Sequence, residues 1–419
     1  MEIHSLKGMR DILPKEAKLW QFIEEKAREI FERFGYKEIR TPILEETALF
    51  SQGIGEGTDI VNKEMYTFTD KGKRSLTLRP EGTAPIVRSY IENRLDGDGG
   101  IVKLYYFGPM FRSERPQKGR SRQFHQIGVE VIGSSSPYVD AEVMFMMAAF
   151  FKELSLRDFK VKLCSLGCSG DKRKLAEALR AYLKPERNRL CEDCKIRLEK
   201  NVLRTLDCKV ESCKILLRNS PKAKDYLCPS CKKHYDKVKS LLTDLKIDFE
   251  EDTNMVRGLD YYTNTVFEVT HSGLGAQDAI AAGGRYDNLV ENFGSKKIGA
   301  FGFAVGVERL IMALSCEKAG DTIEEKPDLY AAVVGEQVYD EAFKTVIALR
   351  KKGLSCAINF QAKSLKSQMR QANKEHARFV AIFGDEELKR GEVVLRDMAS
   401  SEQRNIKLDQ LAGELKKRK

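Results

Sequence analysis

No stretch of the sequence approaches the roughly 18 uncharged apolar residues that a membrane-spanning helix needs, which excludes a transmembrane reading. The start, Met1 to Gly8, has no apolar run that could serve as a secretion signal. The chain is therefore expected to stay in the cytoplasm. Ten cysteines among 419 residues are too few for a secreted disulfide scaffold, so they are expected to be reduced thiols, or metal ligands where they cluster. No G-x-x-x-x-G-K-[ST] occurs, so the glycines at 53, 55 and 57 are not a P-loop, and no strand leads into G-x-G-x-x-G. Only five histidines exist, and none stands in a nucleophile–histidine pattern. There is no internal repeat and no low-complexity segment.

What is present is a soluble globular balance, 42% hydrophobic and 32% charged residues, at a length that fits two to three domains. The formal charge of +10 is unevenly placed. Residues 171–250 hold 21 basic and 13 acidic residues, a net of +8; residues 325–419 hold 19 and 14, a net of +5; the remainder is −3. A near-neutral body with two basic appendages suggests that the appendages touch a polyanion.

Apolar spacing predicts a helix over 14–34, with Pro14 in its first turn and Gly35 at its end. A short edge strand should follow at Tyr36–Ile43, since Pro42 is tolerated only there. Residues 100–132 read as a hairpin and 140–154 as a helix. Residues 171–250 are Lys-rich and mostly helical, with six cysteines between 191 and 231. Strand character returns at 259–269 and 298–305. Beyond a charged linker ending in Pro327, apolar runs at Leu329–Val334 and Phe379–Phe383 flank helical segments, which suggests a small α/β domain.

Three stretches carry chemistry. Phe111–Gly133 places Arg112, Arg115, Lys118, Arg120 and Arg122 in the hairpin loop, and five like charges repel unless an anion sits among them. In the following arm Ile127, Val129 and Val131 point one way and Gln126, Gly128 and Glu130 the other, a pocket floor for a small polar ligand. Met255–Glu268 contains Arg257 and Asp260 ahead of a β-rich run with adjacent tyrosines; Tyr261 and Tyr262 must point to opposite faces, so at most one lines a given pocket. Ala281–Asp287 has two glycines that allow close backbone approach to a ligand, or simply a turn. Ala300–Leu310 runs from an apolar strand into a helix with Arg309 in its first turn, the wrong sign for the helix dipole, which suggests an anion or an aromatic ring as its partner. The cysteines form C-x2-C at 191/194 and 228/231, with Cys208 and Cys213 between; Cys191, Cys194, Cys228 and Cys231 could close one tetrahedral zinc site.

Together these stretches resemble the class II aminoacyl-tRNA synthetases, and in detail the histidyl-tRNA synthetase family. Lys7-Gly-Met-Arg-Asp-Ile-Leu-Pro14 resembles the family's start, Glu38–Glu45 its motif 1, FRSERPQKGRSRQFHQIGVE its motif 2 and AFGFAVGVERL its motif 3. MVRGLDYYTNTVFE and AAGGRYD resemble the two histidine-specific signatures. The resemblance implies an α+β catalytic domain, an antiparallel sheet flanked by helices, over 1–170 and 251–324. It implies an inserted helical domain over 171–250, a C-terminal α/β anticodon-binding domain over 325–419, and a homodimer. It further implies ATP-dependent ligation of L-histidine to tRNA(His) through an adenylate, with Mg²⁺ on the phosphates. By the same resemblance Arg112 and Arg257 are catalytic, and Arg112, Arg120 and Arg309 bind ATP. Glu81, Thr83 and Gln126 hold the α-amino group, Glu130 with Tyr262 (beside Tyr261) reads the imidazole, and Arg115, Gln117 and Arg122 meet the tRNA acceptor end. The competing expectation is a non-catalytic, synthetase-like regulatory subunit of histidine biosynthesis. Such paralogues generally lose the RGLDYY signature and the C-terminal domain, and this sequence has both.

Overall fold

The computed structural model describes residues 3–97, 99–256, 258–319, 326–361 and 363–417. The chain forms two compact units, Met1–Thr322 and Ile323–Lys419. Arg257 and the expected boundary at 324/325 lie outside the described residues.

The first unit is built on an eight-stranded sheet. In spatial order the strands are Lys37–Glu38, Val102–Phe111, Gln123–Ile132, Ala300–Gly306, Ala279–Arg285, Thr263–His271, Phe159–Ser165 and Phe249–Glu251. The central pairings are antiparallel; the outermost pair at each edge is parallel. The strand expected over 36–43 does lie at an edge, but only Lys37–Glu38 pair; Pro42 falls outside it, in the coil that follows. The long hairpin pairs Val102 with Ile132 through to Phe111 with Gln123.

One face of the sheet carries Ile127, Val129 and Val131, packed against the helices Pro14–Arg33 and Pro137–Glu153. In the first of these Trp20, Ile23, Ala27, Ile30 and Phe31 are buried at spacings of three and four, and Gly35 turns the chain at φ +82°. The other face holds Tyr106, Tyr286 and the candidate site, and its apolar cluster runs on into Leu175, Leu179 and Leu198 of the inserted helices. Those helices, Ser169–Leu183, Glu192–Lys200, Glu211–Leu217 and Pro229–Asp244, leave from strand Phe159–Ser165 and return in strand Phe249–Glu251, its direct neighbour. The insertion is thus an excursion between adjacent strands, which needs no rearrangement of the sheet.

The second unit has its own five-stranded sheet: Cys356–Ile358, Leu329–Val333, Phe379–Phe383, Glu392–Asp397 and Gln403–Lys407. Its first three strands are parallel and its last two antiparallel, with helices Tyr339–Lys351 and Leu365–Lys374 as crossovers. Leu329, Ala331, Phe379 and Ala381 are buried at period two within its core. This is the small α/β unit expected after Pro327.

Candidate functional site

Strand alternation sends Glu130 to the face opposite Val129 and Val131, where it is fully buried. It lines a cavity of about 160 Å³ with Glu81, Thr83, Tyr106, Gln126, Tyr261, Tyr262 and Tyr286. The Thr83 hydroxyl donates to Glu130 Oε1 at 2.7 Å, and the Tyr286 hydroxyl donates to Oε2 at 2.5 Å. Burial raises the carboxyl to about 8; the two hydroxyls pull it down only in part, and the nearby Glu81 pushes it up further. A side chain at position 302 would overlap the Glu130 carboxylate, and one at 128 the Tyr106 ring, so the two glycines make room for the polar floor.

Glu81 precedes the helix Thr83–Glu92, whose first amides lack intrahelical acceptors. Its carboxylate accepts from Thr83 N and Ala84 N, both at 2.8 Å, and from the Tyr261 hydroxyl at 3.4 Å. Burial nevertheless lifts its pKa. Among the described residues, Gln126 Oε1 and the Tyr106 hydroxyl are buried without a hydrogen-bond partner. Buried polar atoms are rarely left so, and two beside one cavity are what a polar ligand would satisfy.

Tyr261 and Tyr262 both line this cavity, with ring centroids 4.9 Å apart. The expectation that only one can do so is overturned. The strand begins at Thr263, so the tyrosines sit in the turn before it, where the two-residue alternation of a strand does not apply.

A larger cleft of about 850 Å³ adjoins the cavity, and Arg112 lines both. Arg112 Nε donates to the Pro80 carbonyl at 2.9 Å, and its guanidinium lies over the Phe124 ring, 5.1 Å from the centroid. Arg120 also lines the cleft and pairs with Glu114 at 3.0 Å, which offsets part of the charge in the loop. Arg309 sits in the first turn of helix Val307–Cys316 and donates to the carbonyls of Gly119 and Ala279 at 2.9 and 2.8 Å. Its dipole-opposed position is thus met by protein carbonyls; among the described residues it makes neither an ion pair nor a contact with an aromatic ring. Burial lowers its pKa first and Arg120 next, the signature of a place short of negative charge. Glu308, its neighbour, accepts from His125 N at 3.0 Å and contacts His125 Nδ1 at 2.9 Å, which fixes this helix to the hairpin. In the loop, Arg115 and Gln117 are exposed, whereas Arg122 folds back to the Glu114 carbonyl at 3.3 Å.

Four residues beside the site escaped sequence reading. Tyr286 lies within AAGGRYD and Tyr106 in an apolar run, and each reads as a core aromatic. Lys172 Nζ donates to the carbonyls of Asp260 and Tyr262, both at 3.0 Å. Arg204 donates to Asp260 Oδ1 at 3.2 Å and to the Gly258 carbonyl at 2.5 Å. Both come from the insertion, where a Lys-rich composition hides individual cations. Arg285 is structural: buried between Asp140 and Asp287, each at 2.8 Å, it donates to the Ser134 and Ser136 carbonyls as well.

The single zinc site drawn from Cys191, Cys194, Cys228 and Cys231 is not what the fold assembles. Cys191 and Cys194 gather with Cys208 and Cys213; Cys228 and Cys231 gather with Cys168 and Asp171. The spacing identified both C-x2-C elements, but each closes on partners that the intervening helices bring closer.

Residues 8–310 match the family model for histidyl-tRNA synthetase, and residues 328–418 match that for an anticodon binding domain. A histidine--tRNA ligase of Halothermothrix orenii is 48% identical over 417 residues, covering all of both chains. One from Bacillus cytotoxicus is 48% identical, covering 99% of this chain and 98% of its own. An apo histidyl-tRNA synthetase structure from S. aureus superposes with a TM-score of 0.84 at 37% identity, covering 99% of this chain and 100% of that one. On the matched motifs, the fold and these full-length likenesses, the chain belongs to the histidyl-tRNA synthetase family.

Proposed function

We propose that this chain ligates L-histidine to tRNA(His) through a histidyl-adenylate. The observation that carries the reading is the junction at Arg112: a polar cavity of amino-acid size lies beside an arginine-lined cleft, so a carboxylate in one can meet a phosphate in the other. In the first step a histidine carboxylate oxygen bonds to the α-phosphorus of ATP, and the bond to pyrophosphate breaks. In the second, a hydroxyl of the tRNA's terminal ribose attacks the acyl carbon, loses its proton, and AMP leaves.

Charge grows on the α-phosphate in the first transition state, and fixed cations aimed there lower the barrier. Arg112 and Arg257 take that role, with Arg120 and Arg309 on the rest of the nucleotide. Mg²⁺, when bound, would neutralise phosphate charge; it needs hard oxygen donors, and Glu114 and Glu268 on the cleft wall would hold it. Glu81, Thr83 and Gln126 receive the α-amino group. Glu130 accepts from one imidazole nitrogen, and a tyrosine hydroxyl, Tyr262 with Tyr261 beside it, meets the other, since neutral imidazole carries one donor and one acceptor. Arg115, Gln117 and Arg122 face the acceptor end of tRNA, and the basic C-terminal unit its anticodon end.

The chain acts as a homodimer in the cytoplasm. Ile43 and Leu44 of the motif 1 segment, together with Phe68, are each exposed by 41–45%, apolar surface of the kind a partner subunit covers. Structural zinc belongs to the same proposal, held by the two ligand groups of the fold. The regulatory-subunit reading has no observation in its favour, since the anticodon-binding unit and the RGLDYY segment are both present. Charging of tRNA(His) by the purified protein with labelled histidine and ATP tests the proposal; no acid-stable histidyl-tRNA above background would refute it.

A further inference from the structure

Each ligand quartet has the features of a metal centre. In the first, every pair of Sγ atoms among Cys191, Cys194, Cys208 and Cys213 lies within 4.8 Å, and Cys191 Sγ is 3.7 Å from Cys208 Sγ. A tetrahedral zinc with bonds of about 2.3 Å sets sulfur–sulfur separations of about 3.8 Å. The sulfurs are near that spacing, and a disulfide of about 2.05 Å is far from it. Cys191 N donates to Cys213 Sγ at 3.3 Å, so a backbone amide already points at this sulfur.

The second quartet joins two helix N-termini. Cys168 and Asp171 open helix Ser169–Leu183, and Cys228 and Cys231 open Pro229–Asp244, with the first member of each pair capping its helix. Asp171 is buried, with the three cysteines as its neighbours in the quartet. A buried carboxylate requires a cation or a full set of donors, and helix N-termini favour the anionic form of both ligand types. Asp171 also caps its own helix, accepting from Cys168 N at 3.3 Å, but bland packing of reduced thiols does not explain the convergence of four sulfurs in the first quartet or of three beside that cap in the second.

Both quartets stand next to the same backbone. Between Cys194 and Cys208 lie Asn201, which donates to Asp260 Oδ2 at 3.0 Å, and Arg204, which holds Asp260 and the Gly258 carbonyl. Immediately after Asp171 comes Lys172, which holds the Asp260 and Tyr262 carbonyls. Residues 258–262, including the two cavity tyrosines, are thus gripped from both sides by side chains whose own segments the quartets fix.

We infer that each quartet binds one soft divalent cation of the zinc class, one site all-thiolate and the other three thiolates and the Asp171 carboxylate, and that the pair positions residues 258–262 for histidine. Binding displaces the thiol protons to solvent and changes no oxidation state. The inference deepens the structural-zinc part of the proposed function, and metal content can be read whether or not the protein charges tRNA.

The test is elemental analysis of the full-length protein purified under reductant and without chelator. About two zinc per chain are expected, falling to about one in Cys208→Ser and in Cys228→Ser. Should a serine variant fail to fold, the wild-type protein reloaded with Co²⁺ supplies the second readout, with thiolate-to-cobalt charge-transfer absorption expected from both sites. Stripping with a chelator should lower histidine-dependent pyrophosphate exchange by about tenfold or more, and zinc should restore it. Less than about half an equivalent of metal per chain, with no charge-transfer band after Co²⁺ loading, would overturn the inference. A content unchanged by one of the two variants overturns the site that variant disrupts, and undiminished exchange in stripped protein overturns the positioning role.

Discussion

Replacing Glu130 by Gln should stabilise the ligand-free protein at alkaline pH while it abolishes histidine recognition. The carboxyl has an ordinary value of 4.5, and burial lifts it to about 8 in the fold. Between those values the unfolded chain releases the proton and the folded chain keeps it. Stability therefore falls with rising pH, by about 1.4 kcal/mol per unit, and the loss levels off above 8. At pH 7 the native Glu130 costs ~3 kcal/mol, and above pH 8 ~5 kcal/mol. Gln carries no such penalty, but one of the two hydroxyls of Thr83 and Tyr286 then faces an amide group, a pH-independent loss of ~1–2 kcal/mol. Relative to wild type, the variant should gain ~4 kcal/mol between pH 5 and 8.5. Urea unfolding at fixed protein concentration across that range measures the difference, because a dimer's stability depends on concentration. Saturating histidine should flatten the wild-type slope, since an imidazole N–H favours the carboxylate. A difference that does not move with pH would show Glu130 ionised in the empty fold and would refute the desolvation argument.

Arg257→Ala should reduce histidine-dependent pyrophosphate exchange by ~3–4 kcal/mol of transition-state stabilisation and leave the Kd for tRNA nearly unchanged; near-normal exchange would remove Arg257 from the mechanism. Arg285→Ala should destabilise the first unit by ~3–5 kcal/mol, because Asp140 and Asp287 lose their buried partner, and thermal unfolding reads it. Ending the chain before Pro327 should leave exchange largely intact in a species that gel filtration shows to be dimeric, while the KM for tRNA rises strongly as phosphate contacts are lost. A truncated dimer that charges tRNA(His) as well as the full chain would show that the C-terminal charge does not serve tRNA.

The parts of the site that rest on period-two geometry were legible from residues alone. Gln126, Gly128 and Glu130 fall on one face of a regular strand, and Ile127, Val129 and Val131 in the core on the other. Where backbone leaves the strand, the same rule misleads, as at Tyr261 and Tyr262 in the turn before Thr263. Tyr106 and Tyr286 were hidden because an aromatic ring in an apolar context looks the same whether its hydroxyl faces a ligand or not. The cysteines show a different limit. A C-x2-C element announces a ligand pair at a helix start, but which pairs meet is decided by tertiary packing. Cys168 with Asp171 carries the same spacing with one carboxylate and passes unnoticed. Lys172 acts through backbone carbonyls, and Arg204 through a carbonyl and the Asp260 carboxylate, roles with no sequence signature.

The central claim is that the cavity around Glu130 selects histidine and hands its carboxylate to ATP at Arg112. ATP–pyrophosphate exchange assayed with each of the twenty amino acids tests it most directly. The account predicts exchange with histidine alone, with side chains lacking the imidazole's paired donor and acceptor rejected by roughly 10⁴ or more. Comparable exchange with any other amino acid, or none with histidine in folded protein, would contradict it.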